Sequence, residues 1–133
     1  MPVTDPRPVT EPRLDNLNVS ECRRVGEVLA RIGDKWTMQV IAELGEGSRR
    51  FNELQRAIQG VSQRMLTLTL KNLERDGLVS RTVTPSVPPR VDYALTDLGR
   101  SMLQPVRALG EWAAAHIPAM DAARRQYDGR ETG

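Results

Sequence analysis

The apolar residues of this chain change their period at Gly77. Before it they recur every three to four positions, the stripe of an amphipathic helix. After it they alternate, the pattern of a half-buried strand. Leu78–Thr84 (LVSRTVT) is rich in β-branched residues, and Val91, Tyr93 and Leu95 alternate with Asp92 and Ala94. Between these strands lies Pro85-Ser86-Val87-Pro88-Pro89-Arg90, whose prolines predict a stiff, exposed tip. The two strands and the tip make a hairpin.

Four helices are expected ahead of it. Ser20 is the expected N-cap of the first, in which Val25, Val28, Leu29 and Ile32 form one stripe and Gly33 is the stop. Asp34 is placed to cap a second helix, Lys35 to Leu44, with Trp36, Val40, Ile41 and Leu44 inward and Gly45 and Gly47 beyond it. Arg50–Ile58 reads as a short third helix, with Phe51, Leu54 and Ile58 on its apolar face. Gly60-Val61 is a turn, and Ser62 caps a fourth helix that runs to Asp76. After the hairpin, Thr96 caps a last helix with Met102, Leu103, Val106, Leu109, Trp112 and Ala113 available for packing. Pro105 should kink that helix or split it.

The order predicts a mainly α chain with a small β-hairpin, a winged helix-turn-helix flanked by N- and C-terminal helices. Residues 1–18 hold Pro2, Pro6, Pro8 and Pro12 and few large apolar side chains, so a disordered or extended arm is expected. Residues 19–118 are the expected domain, and 119–133 a frayed tail.

Charge supports the motif. The whole chain carries a formal net charge of +2, yet residues 47–92 hold eight basic and four acidic side chains, net +4. All the excess positive charge falls on the helix-turn-helix and its wing, where a nucleic acid would lie. In the fourth helix Leu66, Leu70 and Leu73 should face the core, which turns Gln63, Arg64, Thr67 and Lys71 outward on one face. Gln and Arg near the start of such a helix suit base edges, Thr suits a thymine methyl, and Lys suits phosphate. Ser62 and the amide groups at the helix start suit a phosphate oxygen. Arg49 and Arg50 precede the third helix and are placed to hold the DNA backbone, while Arg90 leaves the tip in position for a minor groove.

Other classes are disfavoured. One Cys and one His (His116) exclude an intrachain disulfide and argue against a metal site. No nucleophile–base pair, metal cluster or phosphate-cradling glycine loop is visible, so neither enzymatic activity nor a cofactor is expected. No apolar run reaches membrane-span length and the first residues lack a signal peptide, so a cytoplasmic protein with no membrane partner is expected.

Several ordered motifs between Cys22 and Ala114 together resemble the HxlR-type winged helix-turn-helix transcriptional regulators. They are Cys22-Arg23, Gly33-Asp34-Lys35-Trp36, Arg50 to Leu54 (RFNEL), Ile58 to Leu66 (IQGVSQRML), Leu70 to Leu78 (LKNLERDGL), Pro88 to Tyr93 (PPRVDY) and Leu95 to Gly99 (LTDLG). The resemblance implies a homodimeric, sequence-specific regulator of double-stranded DNA in bacteria, joined through its first and last helices. On that analogy the dimer residues are Val25, Val28, Leu29, Leu103, Val106, Leu109 and Trp112. Two recognition helices about one DNA turn apart, ~34 Å, then require a near-palindromic operator.

Cys22 falls where some family members sense oxidants or electrophiles. It lies in the first turn of a helix and is followed by Arg23 and Arg24, features that activate a thiol, with Glu21 opposing. The alternative input is a small apolar ligand held between the first and last helices. The alternative outside DNA regulation is a winged-helix protein–protein interaction module, which acidic residues at 63, 64, 67 or 71 would have favoured.

Overall fold

The computed structural model of the chain describes residues 18–132. The expected N-terminal arm, save Asn18, lies outside them. The chain divides into two compact units between Asp34 and Lys35. Among the described residues the first unit contains one helix, α1 (Val19–Ile32). The second contains α2 (Lys35–Leu44), α3 (Phe51–Ala57), α4 (Gln63–Arg75), β1 (Val79–Thr84), β2 (Arg90–Leu95), α5 (Asp97–Arg100) and α6 (Leu103–Thr132).

Helix α1 starts two residues earlier than Ser20 would have set it. Asn18 is the N-cap: its side-chain oxygen accepts from the Glu21 N–H at 2.8 Å, and its amide donates to the Glu21 carboxylate at 2.8 Å. Asn caps a helix as well as Ser does, and only Asn18 has Glu at the third helical position to complete the reciprocal pair. No α1 residue is buried. Val28 and Leu29 are 54% and 58% exposed.

The core lies wholly in the second unit. Val40, Ile41 and Leu44 of α2 meet Leu54 and Ile58 at α3, Leu66, Leu70 and Leu73 of α4, and Leu78, Val79 and Leu95 at the root of the hairpin. Trp36 and Phe51, expected inside, are half-buried, whereas Thr37 is buried. Between α3 and α4 the chain turns at Gly60, whose φ of 86° is one that side chains rarely adopt. Helix α4 ends in a paired cap: Leu78 N–H donates to the Leu73 carbonyl at 2.9 Å and Gly77 N–H to the Glu74 carbonyl at 3.0 Å. That arrangement needs the left-handed φ of 78° at Gly77. It buries Leu78 against the core and launches β1 directly from the helix.

β1 and β2 pair antiparallel, Val79 opposite Leu95 and Thr84 opposite Arg90. Only the root is buried; residues 81–90 are all exposed. The alternation expected along β2 is therefore muted, with Val91 to Ala94 all half-buried, because the hairpin projects away from the body. A third strand is reduced to one residue. Arg49 N–H donates to the Tyr93 carbonyl at 2.9 Å and Tyr93 N–H to the Arg49 carbonyl at 2.8 Å.

Thr96 caps α5 as expected, accepting from the Gly99 N–H at 3.0 Å, and its hydroxyl donates to the Gly77 carbonyl at 2.6 Å. Pro105 does split the pattern: α5 stops at Arg100, and Pro105 is the third residue of α6, where its missing N–H had no intrahelical partner. Residues 119–132, part of the stretch expected to fray, are helical. α6 is one helix to Thr132, with Pro118 inside it. Residues 119–126 (AMDAARRQ) are mostly strong helix formers, and they extend a helix already nucleated, so each adds a bond without a new nucleus. No helix among the described residues is long and apolar enough to cross a membrane.

Candidate nucleic-acid interface

Helix α4 is fixed by what it buries. Leu66, Thr69, Leu70 and Leu73 are at most 4% exposed, and they hold the opposite side outward. Gln63, Arg64 and Lys71 are exposed there and Thr67 is half-buried, so the four expected residues share one outer face. Leu68, 50% exposed, lies on that face between Arg64 and Lys71. The periodicity did not single it out, since a leucine beside a leucine stripe reads as core. Ser62 caps the helix, its hydroxyl oxygen accepting from the Met65 N–H at 3.0 Å. The Thr67 hydroxyl donates to the Gln63 carbonyl at 2.8 Å, which leaves its methyl as the group most available to a partner.

The flanking arginines behave differently. Arg49 lies 3.7 Å from the Glu43 carboxylate. Arg50 is 4.0 Å from Glu53, whose carboxylate also accepts from the Arg50 backbone N–H at 2.8 Å. That backbone bond holds the Glu53 carboxyl below its usual value, with the positive charges of Arg50, Arg49 and Arg56 acting the same way. Arg90 binds Asp92 at 3.0 Å, and the Ser86 hydroxyl donates to the Pro88 carbonyl at 2.6 Å across the tip. Val87 is fully exposed at that tip. All three of these arginines are therefore partly neutralised by carboxylates. Arg64 and Lys71 make no ion pair among the described residues.

Register brings to the site two residues that sequence reasoning did not place there. Arg81 pairs with Tyr93, and Tyr93 bridges to Arg49, so the three share one rung and one face of the small sheet. Arg81 and Tyr93 line a cleft of ≈ 370 Å³ with Thr67, Leu70, Lys71 and Glu74 of α4. The cleft joins the wing to the outer face of α4.

The residues expected at a dimer face are dispersed in character. Val106 is 5% exposed in its own chain, held in the core beside α2, so it is not available to a partner and that assignment is corrected. Leu103 is half-buried and packs beside Gly45. Leu109 and Trp112 are 52% and 53% exposed on α6, and the Trp112 ring stacks on His116 with centroids 4.5 Å apart. In α1, Val25 is half-buried and Val28 and Leu29 are exposed. Cys22 is exposed in α1, and its backbone N–H closes the first turn on the Asn18 carbonyl at 2.9 Å.

A model of the HxlR-like helix-turn-helix family matches residues 31–121, a span that holds the whole helix-turn-helix, the hairpin and most of α6. The chain belongs to that family. The HTH-type transcriptional regulator YtfH of Escherichia coli K12 is 39% identical over 109 residues, covering 82% of this chain and 86% of YtfH. Among solved structures, the redox regulator HypR in its reduced form superposes with a TM-score of 0.69 at 38% identity, over 74% of this chain and 98% of HypR. The diamide-treated YodB of Bacillus subtilis superposes with a TM-score of 0.63 at 32% identity, over 71% of this chain and 93% of YodB. This HxlR-family chain is a transcriptional regulator of the winged-helix type.

Proposed function

We propose that the regulator binds double-stranded DNA sequence-specifically as a homodimer, with α4 in the major groove of each half of a near-palindromic operator. The observation that carries this reading is the outer face of α4. It opposes a buried leucine stripe and presents Gln63, Arg64, Thr67 and Lys71, none of them acidic. Gln63 and Arg64 read base edges, Thr67 and Leu68 offer apolar groups to thymine methyls, and Lys71 meets phosphate. Ser62 and the first amides of α4 face the DNA backbone, with Arg49, Arg50 and Arg90 in supporting positions, each sharing its charge with a carboxylate. Dimerisation is supported by α1, none of whose residues is fully buried although Val25, Val28, Leu29 and Ile32 recur at helical spacing. The exposed Leu109 and Trp112 of α6 support it as well.

Salt titration of binding to a duplex selected from a random pool tests the reading. Affinity should fall steeply with salt, as phosphate contacts release counterions, and far more weakly bound non-operator duplexes should show a similar slope. Binding that is absent or insensitive to salt would instead support a protein–protein module.

Redox control at Cys22 is the second part of the reading. It is supported by the exposure of Cys22 and by the likeness to HypR and to diamide-treated YodB. A two-electron oxidant such as diamide takes one hydrogen from each of two Cys22 thiols, forms an Sγ–Sγ bond between subunits and is itself reduced to the hydrazine. The altered subunit spacing then changes operator affinity. Diamide should give a reducible covalent dimer and a changed affinity in the wild type and neither in Cys22→Ser; identical behaviour of the two would refute it.

A further inference from the structure

The cations of the wing region differ in one respect that bears on how DNA is held. Arg49, Arg50 and Arg90 each lie within 4.0 Å of a carboxylate. Lys71 of α4 and Arg81 of β1 make no ion pair among the described residues, and both line the ≈ 370 Å³ cleft between the helix and the hairpin. Tyr93 adds a polar group to the lining, Leu70 an apolar wall, Thr67 a side chain whose hydroxyl is bonded to Gln63, and Glu74 its single carboxylate. The lining thus carries two positive charges and one negative. A phosphodiester carries one negative charge, so one phosphate neutralises the cleft. Arg81 supplies a planar fork and Lys71 a mobile point charge, the two complementary ways of binding phosphate oxygens.

We propose that this cleft clamps a single DNA backbone phosphate between Lys71 and Arg81. The clamp rests on the DNA-binding reading above and adds to it the point at which the wing is anchored: the middle of β1, not Arg90 near the tip. Glu74, one turn beyond Lys71, repels a second phosphate and keeps the occupancy at one. Register makes the anchor stiff. Arg81 sits opposite Tyr93, and Tyr93 is tied to Arg49 by two backbone hydrogen bonds, so the residue that backs the fork is itself held from both sides.

The test uses the full chain and a duplex selected from a random pool. Wild-type protein first establishes salt-dependent binding. Arg81→Gln and Lys71→Gln, each acting in both half-sites of the dimer, should each lower the salt slope by about 1.8 and weaken binding about sixtyfold at 0.1 M salt, equally on the selected and on unrelated duplexes. Arg90→Gln should change the slope by less than half as much. Methylphosphonate substitution, one phosphate at a time, should find one position per half-site that weakens wild type yet leaves Arg81→Gln unaffected, and Glu74→Gln should tighten binding. Wild type that binds with a steep slope while Arg81→Gln binds identically would overturn the clamp alone. So would an Arg81→Gln defect additive with every methylphosphonate. Absence of salt-dependent binding by the wild type would overturn the DNA reading and the clamp together. Unchanged circular dichroism of each variant excludes misfolding as the cause.

Discussion

Replacing Gly99 by alanine tests how the wing is fastened to the body. Gly99 is buried in α5. A Cβ there would stand 3.0 Å from the Leu78 carbonyl carbon and 3.1 Å from Leu95 Cδ2, and inside van der Waals contact of the Leu78 carbonyl oxygen. Relaxed carbon–carbon contacts are about 3.5–4.0 Å, so backbone must move. The Leu78 carbonyl accepts from the Thr96 N–H at 3.1 Å, and Thr96 in turn caps α5 and bonds Gly77. Moving it loosens the root of both strands. Overpacking costs roughly 1–3 kcal/mol, and the clash with backbone places it at the upper end. Loss of the Leu78–Thr96 bond adds about 1 kcal/mol, and the better helix propensity of alanine returns up to about 1. The net loss is therefore about 3 kcal/mol, or roughly 10–15 °C in Tm for a unit of this size. Thermal and urea unfolding followed by circular dichroism, at fixed protein concentration, measures it. Gly110→Ala is the control: nothing lies within 4 Å of a Cβ there, so it should gain up to about 1 kcal/mol. A fall in Tm for Gly99→Ala of less than about 3 °C would refute the argument that the Leu78 backbone leaves no room.

Three further outcomes follow from the same geometry. Ser62→Ala removes the acceptor of the Met65 N–H and should cost about 1 kcal/mol by urea unfolding, with Ser62→Asn close to wild type. The Glu53 carboxyl titrates below its usual 4.5, so its bond to the Arg50 N–H is fully present above that pH and is lost as pH falls through the lower folded value. Below pH 4.5 the wild type should lose stability more steeply than Glu53→Gln, and parallel pH profiles of the two would contradict this. Finally, uracil in place of contacted thymines removes only methyl groups. It should weaken wild-type binding several-fold and leave Leu68→Ala less affected, and equal losses would exclude Leu68 as a methyl contact.

Much of the fold is legible because its signals are local. The stripe Leu66, Leu70, Leu73 fixes which way α4 faces, Gly77 and Ser62 mark its ends, and the change of period marks the hairpin. These readings need only residues within a turn or two of one another. Misreadings arise where two local signals compete or where context decides. Asn18 and Ser20 are both good caps, and only the position of Glu21 distinguishes them. The residues after Ala119 carry no apolar face to hold a helix down, yet they continue one that is already formed. Val106 belongs to the apolar pattern of α6 whichever partner it meets; that it meets α2 of its own chain is a matter of packing.

The candidate site divides along the same line. Its helical half, Gln63, Arg64, Thr67 and Lys71, follows from periodicity, because a helix whose buried face is known has its exposed face determined as well. Its wing half does not. Arg81 is one more exposed arginine in a strand until the register sets it opposite Tyr93 and across a cleft from Lys71. The +4 of residues 47–92 is likewise a sum over the sequence. Only the folded chain decides that Arg49, Arg50 and Arg90 share their charge with carboxylates while Lys71 and Arg81 do not. Ion pairing and cross-strand register join residues tens of positions apart, and no local period records which of them will meet.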